Sequence, residues 1–372
     1  MALPSFSSTA FLETFSPSSH VPSSSNNKTF ESCIKDAFNI PITDTYIYRA
    51  SGETTLSTTQ KAINGKRTHG LHNWYHDSNG KPIEQPSPYP LPDEITAYIS
   101  MFEPSVSIAK ALNACKANAK ANTLRAAIST YLNSQFTNKT QGLLPSKKDR
   151  IHRNPYYEIW KYAAHELEWS GPWPNTLYTK QSHHMLPILY HHFGCIVPSY
   201  AALHVIAKLA QPAKPSKEDV RPILDVGSGN GYWSFMLRNL ELGDGMKELD
   251  VKAIDNGTSE YRVQWIEDTI KHDGLKYLSD HGNGKGCVLL LVYPQATGDF
   301  TGPILRKFEG DSIVVAGTQN GNGFTAFRDC VVDEWVEKNL SAFELTLRMP
   351  LPSFAGKDEA LFVFQRRKTP LR

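Results

Sequence analysis

Cysteine is scarce in this chain of 372 residues, and its few cysteines are not spaced as pairs. They are odd in number, widely separated, and none stands in a C-x-x-C pattern. The five are Cys33, Cys115, Cys195, Cys287 and Cys330. Such a distribution argues against a disulfide framework and a zinc ribbon, and it predicts a reduced intracellular protein.

The chain also lacks an excess of one charge sign. Lysine and arginine number 39 against 37 aspartates and glutamates, which leaves a formal net charge of +2. A broad basic surface that could follow a phosphate backbone is therefore not expected, and nucleic acid is disfavoured as a partner.

Long apolar runs and targeting signals are missing as well. The longest apolar stretch, residues 287–293, is far too short to cross a bilayer and is typical of a buried strand. The first fifteen residues contain no lysine or arginine, which argues against a secretory signal and a mitochondrial presequence. The sequence thus predicts a cytoplasmic protein with no membrane partner, and a nuclear location is left open.

What the chain does contain divides into four stretches. Residues 1–28 are rich in serine, proline and asparagine and nearly uncharged, so we predict a disordered tail. Residues 29–150 are predicted to form a mostly helical N-terminal region. Residues 151–221 are predicted to be a helical cap and linker, and residues 222–368 an α/β domain.

The N-terminal region carries its own local signals. A short strand is predicted at 45–50, and a turn signal between polar and aromatic arms predicts a hairpin at 72–85. Apolar residues at helical spacing predict helices at 93–102, 105–119 and 123–136.

From residue 222 onward, short apolar strands alternate with helical runs. A helix is predicted at 232–240, between the first two strands. Strands separated in this way imply a mostly parallel, doubly wound sheet, and therefore an α/β fold. The predicted strands are 223–226, 251–254, 263–266, 288–293, 313–316, 343–347 and 361–364.

The segment ILDVGSGNGYW joins the first of these strands to the first helix. The strand ends in Asp225, and three alternating glycines follow. Glycine permits unusual backbone dihedrals and removes the Cβ atoms that would block a ligand. Ligands of open α/β sheets lie beyond the carboxyl ends of the strands, so this turn predicts a nucleoside-like cofactor.

Spacing separates the cofactors that such a turn could hold. A dinucleotide fingerprint has G-x-G-x-x-G, whereas this turn has G-x-G-x-G preceded by an acid. Asp225 would repel a pyrophosphate and suits a cationic amino-acid moiety. The second strand ends in Asp255, whose carboxylate can accept two hydrogen bonds from ribose hydroxyls.

Together these residues resemble motifs I and II of the class I S-adenosylmethionine (SAM)-dependent methyltransferases. The resemblance extends over residues 222–368. It implies a doubly wound, seven-stranded Rossmann-like methyltransferase sheet, with 343–347 and 361–364 as antiparallel sixth and seventh strands, preceded by the helical N-terminal extension.

The resemblance also implies a set of cofactor-binding residues. The glycines would line the methionine and ribose portions, Asp225 would lie near the amino group, and Asp255 would hold the ribose. Asp268 would approach the adenine amino group, and Tyr293 would face the sulfonium and its methyl group. Tyr200 begins a helix that would cover the cofactor, with packing as the alternative. The full set is Asp225, Gly227, Ser228, Gly229, Gly231, Asp255, Asn256, Asp268, Tyr293 and Tyr200.

The chain departs from the family after the fourth strand. Methyltransferases that act on bases or glutamine usually have D/N-P-P-Y/F there, whereas this chain has Val292-Tyr293-Pro294-Gln295. A base- or glutamine-methylating activity is therefore disfavoured, and no acids typical of metal-dependent O-methyltransferases are seen. Residues 317–323 (GTQNGNG) either border the substrate pocket or form a surface turn.

Four histidines, His183, His184, His191 and His192, form a cluster that could hold a metal, supply a general base or be structural. Pro187 interrupts the helix that would align them, and no carboxylate stands nearby at ligand spacing. We predict structural histidines and no metal. The catalytic candidates are Tyr293, His183 and His184.

These observations predict a SAM-dependent methyltransferase that transfers a methyl group to a small-molecule or protein acceptor. The alternative is a methyltransferase-fold protein that binds SAM or a partner without transferring the methyl group. A nucleic-acid methyltransferase is disfavoured by the balanced charge.

Overall fold

A computed structural model represents the protein. It describes residues 3, 6–50, 52–65, 79, 81, 91–146, 152–168, 171–172, 178, 183–214, 217–296 and 299–367.

The described residues form an α/β structure. The helices are α1 (Ser8–Thr14), α2 (Pro17–His20), α3 (Phe30–Ala37), α4 (Leu56–Gly65), α5 (Pro92–Ile99), α6 (Ile108–Ala117), α7 (Leu124–Gln135), α8 (Pro155–Glu166), α9 (Met185–Phe193), α10 (Tyr200–Ala210), α11 (Tyr232–Arg238), α12 (Gly274–Asp280), α13 (Thr301–Lys307) and α14 (Val332–Asn339). The strands are β1 (Tyr48–Arg49), β2 (Glu53–Thr54), β3 (Thr137–Asn138), β4 (Ile223–Val226), β5 (Val251–Asp255), β6 (Ile270–Lys271), β7 (Val288–Val292), β8 (Ser312–Thr318), β9 (Phe343–Pro350) and β10 (Glu359–Arg366).

The main sheet is mixed and, within the described residues, has eight strands in the order β3-β9-β10-β8-β7-β4-β5-β6. Strands β6, β5, β4, β7 and β8 run parallel to one another. Strand β10 pairs antiparallel with both β8 and β9. The predicted α/β class is confirmed, and the arrangement is compatible with a Rossmann-like fold.

Both faces of the sheet are covered, as the continuous apolar runs of its central strands predict for parallel strands. Alternate residues of one strand belong to two separate cores, because successive side chains of a strand point to opposite faces. Ile223 and Val288 lie in the core shared with the N-terminal helices. Leu224 and Leu289 lie in the core under α12, α13 and α14.

The prediction that the strands at 343–347 and 361–364 are both antiparallel to the rest of the sheet needs correction. Strand β10 runs antiparallel to β8 and therefore to the other central strands. Strand β9 runs antiparallel to β10, so β9 has the same direction as the central strands. As a result β10 begins at the sheet edge where the parallel strands end, and Glu359 pairs with Thr318 at the end of β8.

The predicted third strand at 263–266 is wrong. Val263, Trp265 and Ile266 are buried but not in a strand, and the parallel partner of β5 is β6. Trp265 instead packs edge-on against the Tyr232 ring with its indole N–H donating to the carbonyl of His192. The apolar residues at 263–266 belong to a loop that faces the core. A short apolar run in the sequence does not distinguish such a loop from a strand.

The prediction of a disordered tail at residues 1–28 is also corrected. Helix α1 is capped by the Ser7 side chain, and its Phe11 is buried. The Phe11 ring lies 4.8 Å from that of Phe38 and 5.3 Å from that of Trp265, measured between centroids. A serine-rich composition misleads here because a few aromatic side chains are enough to dock the segment on the core.

In the N-terminal region, α5, α6 and α7 confirm the three predicted helices with slightly narrower bounds. Of the predicted strand at 45–50, Tyr48 and Arg49 form β1 and pair with β2. The predicted hairpin at 72–85 falls outside the described residues, apart from positions 79 and 81. Over the described ranges, no helix is long and apolar enough to span a membrane.

Candidate functional site

A cavity of about 360 Å³ opens at the carboxyl ends of the parallel strands. The residues that follow β4, β5, β6 and β7 all reach it, among them Gly227, Asn256, His272 and Tyr293. This is the place where ligands of open α/β sheets bind, and the volume is within the range of small-molecule sites.

The turn after β4 requires glycine for two reasons. Gly229 and Gly231 have φ angles of +59° and +77°, in the left-handed region. A Cβ atom on Gly229 would lie 2.6 Å from the Tyr261 hydroxyl, and one on Gly231 would lie 2.4 Å from Cγ1 of Ile266. The turn is therefore packed closely on both of these side chains.

Asp255 is the polar residue that this turn orients. Its Oδ2 accepts a hydrogen bond from the Gly229 backbone N–H at 2.9 Å, and its Oδ1 accepts one from the Gly257 N–H at 2.7 Å. The carboxylate lies on the cavity wall with both oxygens fixed. Each oxygen keeps a further lone pair, so the group can accept hydrogen bonds from a ligand diol.

Asp225 lies behind the turn rather than on the cavity wall. It is fully buried, its Oδ2 accepts a 2.7 Å hydrogen bond from the Ser234 hydroxyl, and its Oδ1 has no hydrogen-bond partner. Burial raises the pKa of this carboxyl to about 7. A cation that reached the free oxygen would favour the ionised form.

The raised pKa of Asp225 predicts a pH-dependent cost to stability. From about pH 4 to pH 7 the unfolded chain ionises this residue while the folded protein keeps it protonated, so the free energy of unfolding falls as pH rises. Asp225→Asn removes this slope, which reaches about 1.4 kcal/mol per pH unit. Urea titrations of both proteins at pH 5, 6 and 7 measure it.

The matched control is Asp250→Asn, because Asp250 is exposed and immediately precedes β5. It measures the effect of exchanging an exposed aspartate for asparagine, against which the effect at buried Asp225 is compared. A constant difference between wild type and Asp225→Asn over the same range would show that Asp225 is ionised in the folded protein.

Tyr293 follows β7 and holds a strained backbone. Its φ of +51° is uncommon for a residue with a Cβ atom, and its N–H donates to the Ala316 carbonyl at 2.8 Å. The ring lies on the cavity wall, and the Lys357 ammonium donates to its hydroxyl at 3.5 Å. Strained residues of this kind concentrate at functional sites.

Asp268 lies away from the cavity. Its side chain is 66% exposed and forms an ion pair of 2.8 Å with Arg238. The residues that follow β6 and line the cavity are His272 and Asp273, and Asp273 also caps α12 through the Lys276 N–H. Sequence reasoning missed them because it placed the third strand too early.

Only some of the other predicted cofactor residues line the cavity. Gly227 and Asn256 line the cavity together with Gly229, whereas Gly231 and Ser228 face protein. The Ser228 hydroxyl is buried without a hydrogen-bond partner. Tyr200 is buried and borders a different, smaller cavity of about 220 Å³.

His191 and His192 lie in α9, and His183 and His184 directly precede it. None of the four lines the cavity. Buried Glu168 accepts hydrogen bonds from the backbone N–H groups of His184, Met185 and Leu186, and its other neighbour is the His183 ring at 3.2 Å. These N–H groups would otherwise be unsatisfied at the start of α9. His183 and His184 thus help to anchor the helix whose Leu186 reaches the cavity.

His191 and His192 tie other segments together. The Tyr46 hydroxyl is 3.1 Å from Nδ1 of His191, and the Arg49 N–H donates to Nε2 of the same ring at 3.2 Å. His192 is buried, with Nδ1 2.8 Å from the Ile188 carbonyl. In the described part of the chain, no group of three or more His, Cys, Asp or Glu side chains is placed to hold a metal.

Several cavity residues carry no sequence signal because they come from distant segments. The N-terminal region contributes Arg49, and α9 and the turn after it contribute Tyr190 and Cys195. Lys357 enters from the segment before β10 and is 4% exposed. Compared with models of known protein families and with curated proteins, the chain matches none of them.

Proposed function

We propose that the chain is a SAM-dependent methyltransferase that acts on a small-molecule or protein acceptor. The observation that carries the proposal is the Asp255 carboxylate, fixed on the cavity wall by Gly229 and Gly257 directly beside the glycine turn. The sheet also supports the proposal. Without the two-residue edge strand β3 it has seven strands, β4 to β10, of which β10 is antiparallel to its neighbours.

The residues present fit SAM. Asp255 would accept hydrogen bonds from the ribose hydroxyls. Asp273, which lines the cavity after β6, would take the adenine contact that the sequence had assigned to Asp268. Asp225, to which the sequence had assigned the ammonium of the methionine moiety, is buried behind the turn and does not line the cavity. Bound SAM supplies an electrophilic methyl group on a sulfonium.

The protein's own contribution would be positioning. Tyr293, held by its backbone and by Lys357, would face the methyl group and the acceptor, and the aromatic wall would exclude water. Orientation alone can supply several kcal/mol of a transfer barrier, on the order of 7–11 kcal/mol in the best cases. The lack of a strong general base among the predicted catalytic residues is compatible with this.

One observation favours a second function, a methyltransferase-fold protein that binds without transfer. The Tyr261 hydroxyl packs on Gly229 and the Phe300 ring packs on Gly227, where a Cβ would lie 3.1 Å from it. These contacts narrow the space over the turn. A nucleic-acid methyltransferase is disfavoured by the net charge of +2.

Calorimetric titration with SAM and with S-adenosylhomocysteine tests the proposal. Micromolar binding of both, followed by transfer of a radiolabelled methyl group to an acceptor in a substrate screen, is the expected result. Binding without label in any acceptor would favour the binding-only function. A folded protein that binds neither compound would exclude both.

A further inference from the structure

A buried arginine stands directly after a residue of the cavity wall. Arg262, in the loop between β5 and β6, is 3% exposed and follows Tyr261, which packs on Gly229. Its guanidinium donates to Oδ1 of Asp44 at 2.9 Å and lies over the Tyr46 ring, 4.3 Å from the centroid. A buried charge is stable only where it is paired, so moving residue 262 away from these partners would be costly.

The backbone of Arg262 is held from two further directions. Its N–H donates to the His191 carbonyl at 2.8 Å, and its carbonyl accepts a hydrogen bond of 2.7 Å from the Leu3 N–H. Side chain and backbone together thus join the loop to α9 and to residues near the start of the chain. Because Tyr261 is the adjacent residue, its position over the glycine turn depends on these contacts.

The Tyr46 side chain extends the same contacts to a second part of the cavity wall. Its hydroxyl is 3.1 Å from Nδ1 of the buried His191 ring. Nε2 of that ring lies 3.2 Å from the backbone nitrogen of Arg49 and 3.0 Å from its carbonyl oxygen. Arg49 and the next residue, Ala50, line the cavity. One imidazole therefore holds this part of the wall in place.

The loop between β5 and β6 has a second anchor at Trp265. Its backbone N–H donates to the Asn230 carbonyl, in the glycine turn, at 2.8 Å. The rings of Phe6 and Phe11 pack edge-on against the Trp265 ring, with centroids 5.0 and 5.3 Å away. Edge-on contacts of this kind are favourable beyond the area they bury. The loop thus contacts both the glycine turn and the beginning of the chain.

We propose that a network of four side chains positions two parts of the cavity wall, Tyr261 and Arg49, for the bound ligand. The four are Asp44, Tyr46, His191 and Arg262, and none of them lines the cavity. A buried ion pair adds little net stability compared with apolar packing, and its best attested role is to fix one arrangement. The network does not depend on the identity of the ligand, whereas its effect on SAM rests on the proposed function.

Amide hydrogen exchange followed by mass spectrometry tests the network in the full-length protein without a ligand, because exchange reports local opening. Asp44→Asn removes the charge that pairs with Arg262 and should speed exchange at least fivefold in peptides that cover residues 256–262. Tyr46→Phe keeps the ring and removes only the hydroxyl, so it should speed exchange at residues 46–50. This milder variant decides even if Asp44→Asn folds poorly.

The matched control is Asp333→Asn. Asp333 forms an ion pair of the same length, 2.9 Å, with Arg348, and their side chains are 18% and 16% exposed. Neither residue lines the cavity, so the control should leave exchange in both peptides unchanged. Equal acceleration in the control and in the network variants would show a general loss of stability and would overturn the proposal.

Calorimetric titration of the same variants with S-adenosylhomocysteine tests the effect on the site. Asp44→Asn and Tyr46→Phe should each weaken binding at least threefold, and Asp333→Asn should not. Because both changes act on one network, the loss in the double variant should be smaller than the product of the single losses. Losses that simply multiply, or unchanged affinity in both single variants, would overturn the proposal.

The two measurements separate this proposal from the proposed function. A wild type that binds no S-adenosylhomocysteine would count against the methyltransferase assignment. Exchange at residues 46–50 and 256–262 would then still decide whether the network holds the two parts of the wall.

Discussion

Replacing Asp255 with alanine is expected to weaken SAM binding by a factor of roughly 10² to 10⁴. Two hydrogen bonds from ribose hydroxyls to a charged acceptor are each worth about 1.5–3 kcal/mol, and both would be lost. The variant also removes the acceptor of the Gly229 and Gly257 N–H groups, so the glycine turn loses its anchor. Calorimetric titration of the purified variant beside the wild type measures the loss.

Two further variants separate recognition from structure. Asp255→Asn keeps one acceptor oxygen and should bind SAM with an intermediate affinity. Asp250→Ala alters an exposed acid at the opposite end of β5 and should leave the affinity unchanged. If Asp255→Ala bound SAM as tightly as the wild type, the ligand would have to lie elsewhere than against the ends of β4 and β5.

Gly231→Ala is expected to reduce the free energy of unfolding by about 2–5 kcal/mol. A left-handed backbone costs an alanine about 1–2 kcal/mol, and overpacking a core contact costs about 1–3 kcal/mol more. Both terms apply, since Gly231 has a φ of +77° and its Cβ would lie 2.4 Å from Cγ1 of Ile266. Urea unfolding followed by tryptophan fluorescence measures the sum.

Gly286→Ala provides a matched comparison for the strain alone. Gly286 has a φ of +78°, and a Cβ there would meet nothing within 4 Å. Gly286→Ala should therefore lower the free energy of unfolding only by the cost of the left-handed backbone. The additional loss in Gly231→Ala then measures the steric contact with Ile266. Equal losses at the two positions would mean that the turn yields to the added methyl group and that the packing over it is loose.

The central part of the fold was predictable because its signals are local. A buried strand, a glycine-rich turn and an apolar helix follow one another within residues 223–238, and the structure has β4, the turn and α11 there. Parallel strands that end in Asp255 and near Tyr293 bring those residues to the same edge of the sheet. Their common cavity therefore follows from strand order alone.

The predictions for residues 263–266 and for residues 1–28 were wrong because their sequence patterns fit more than one structure. The run at 263–266 is as apolar as a strand, yet it packs as a loop around Trp265, and this error moved the expected adenine contact to Asp268. The composition of residues 1–28 hid Phe11, whose docking on Phe38 and Trp265 depends on segments far away in the chain.

By itself the sequence determined the α/β class, the glycine turn and the acid at the end of β5, since each depends on neighbours a few positions away. Only the tertiary structure decided which side chains face the cavity. Lys357, Cys195 and Tyr190 come from segments with no motif of their own, and the reversed direction of β10 brings Lys357 to Tyr293. Contacts between residues so far apart along the chain depend on how the whole sheet is assembled, which no local pattern encodes.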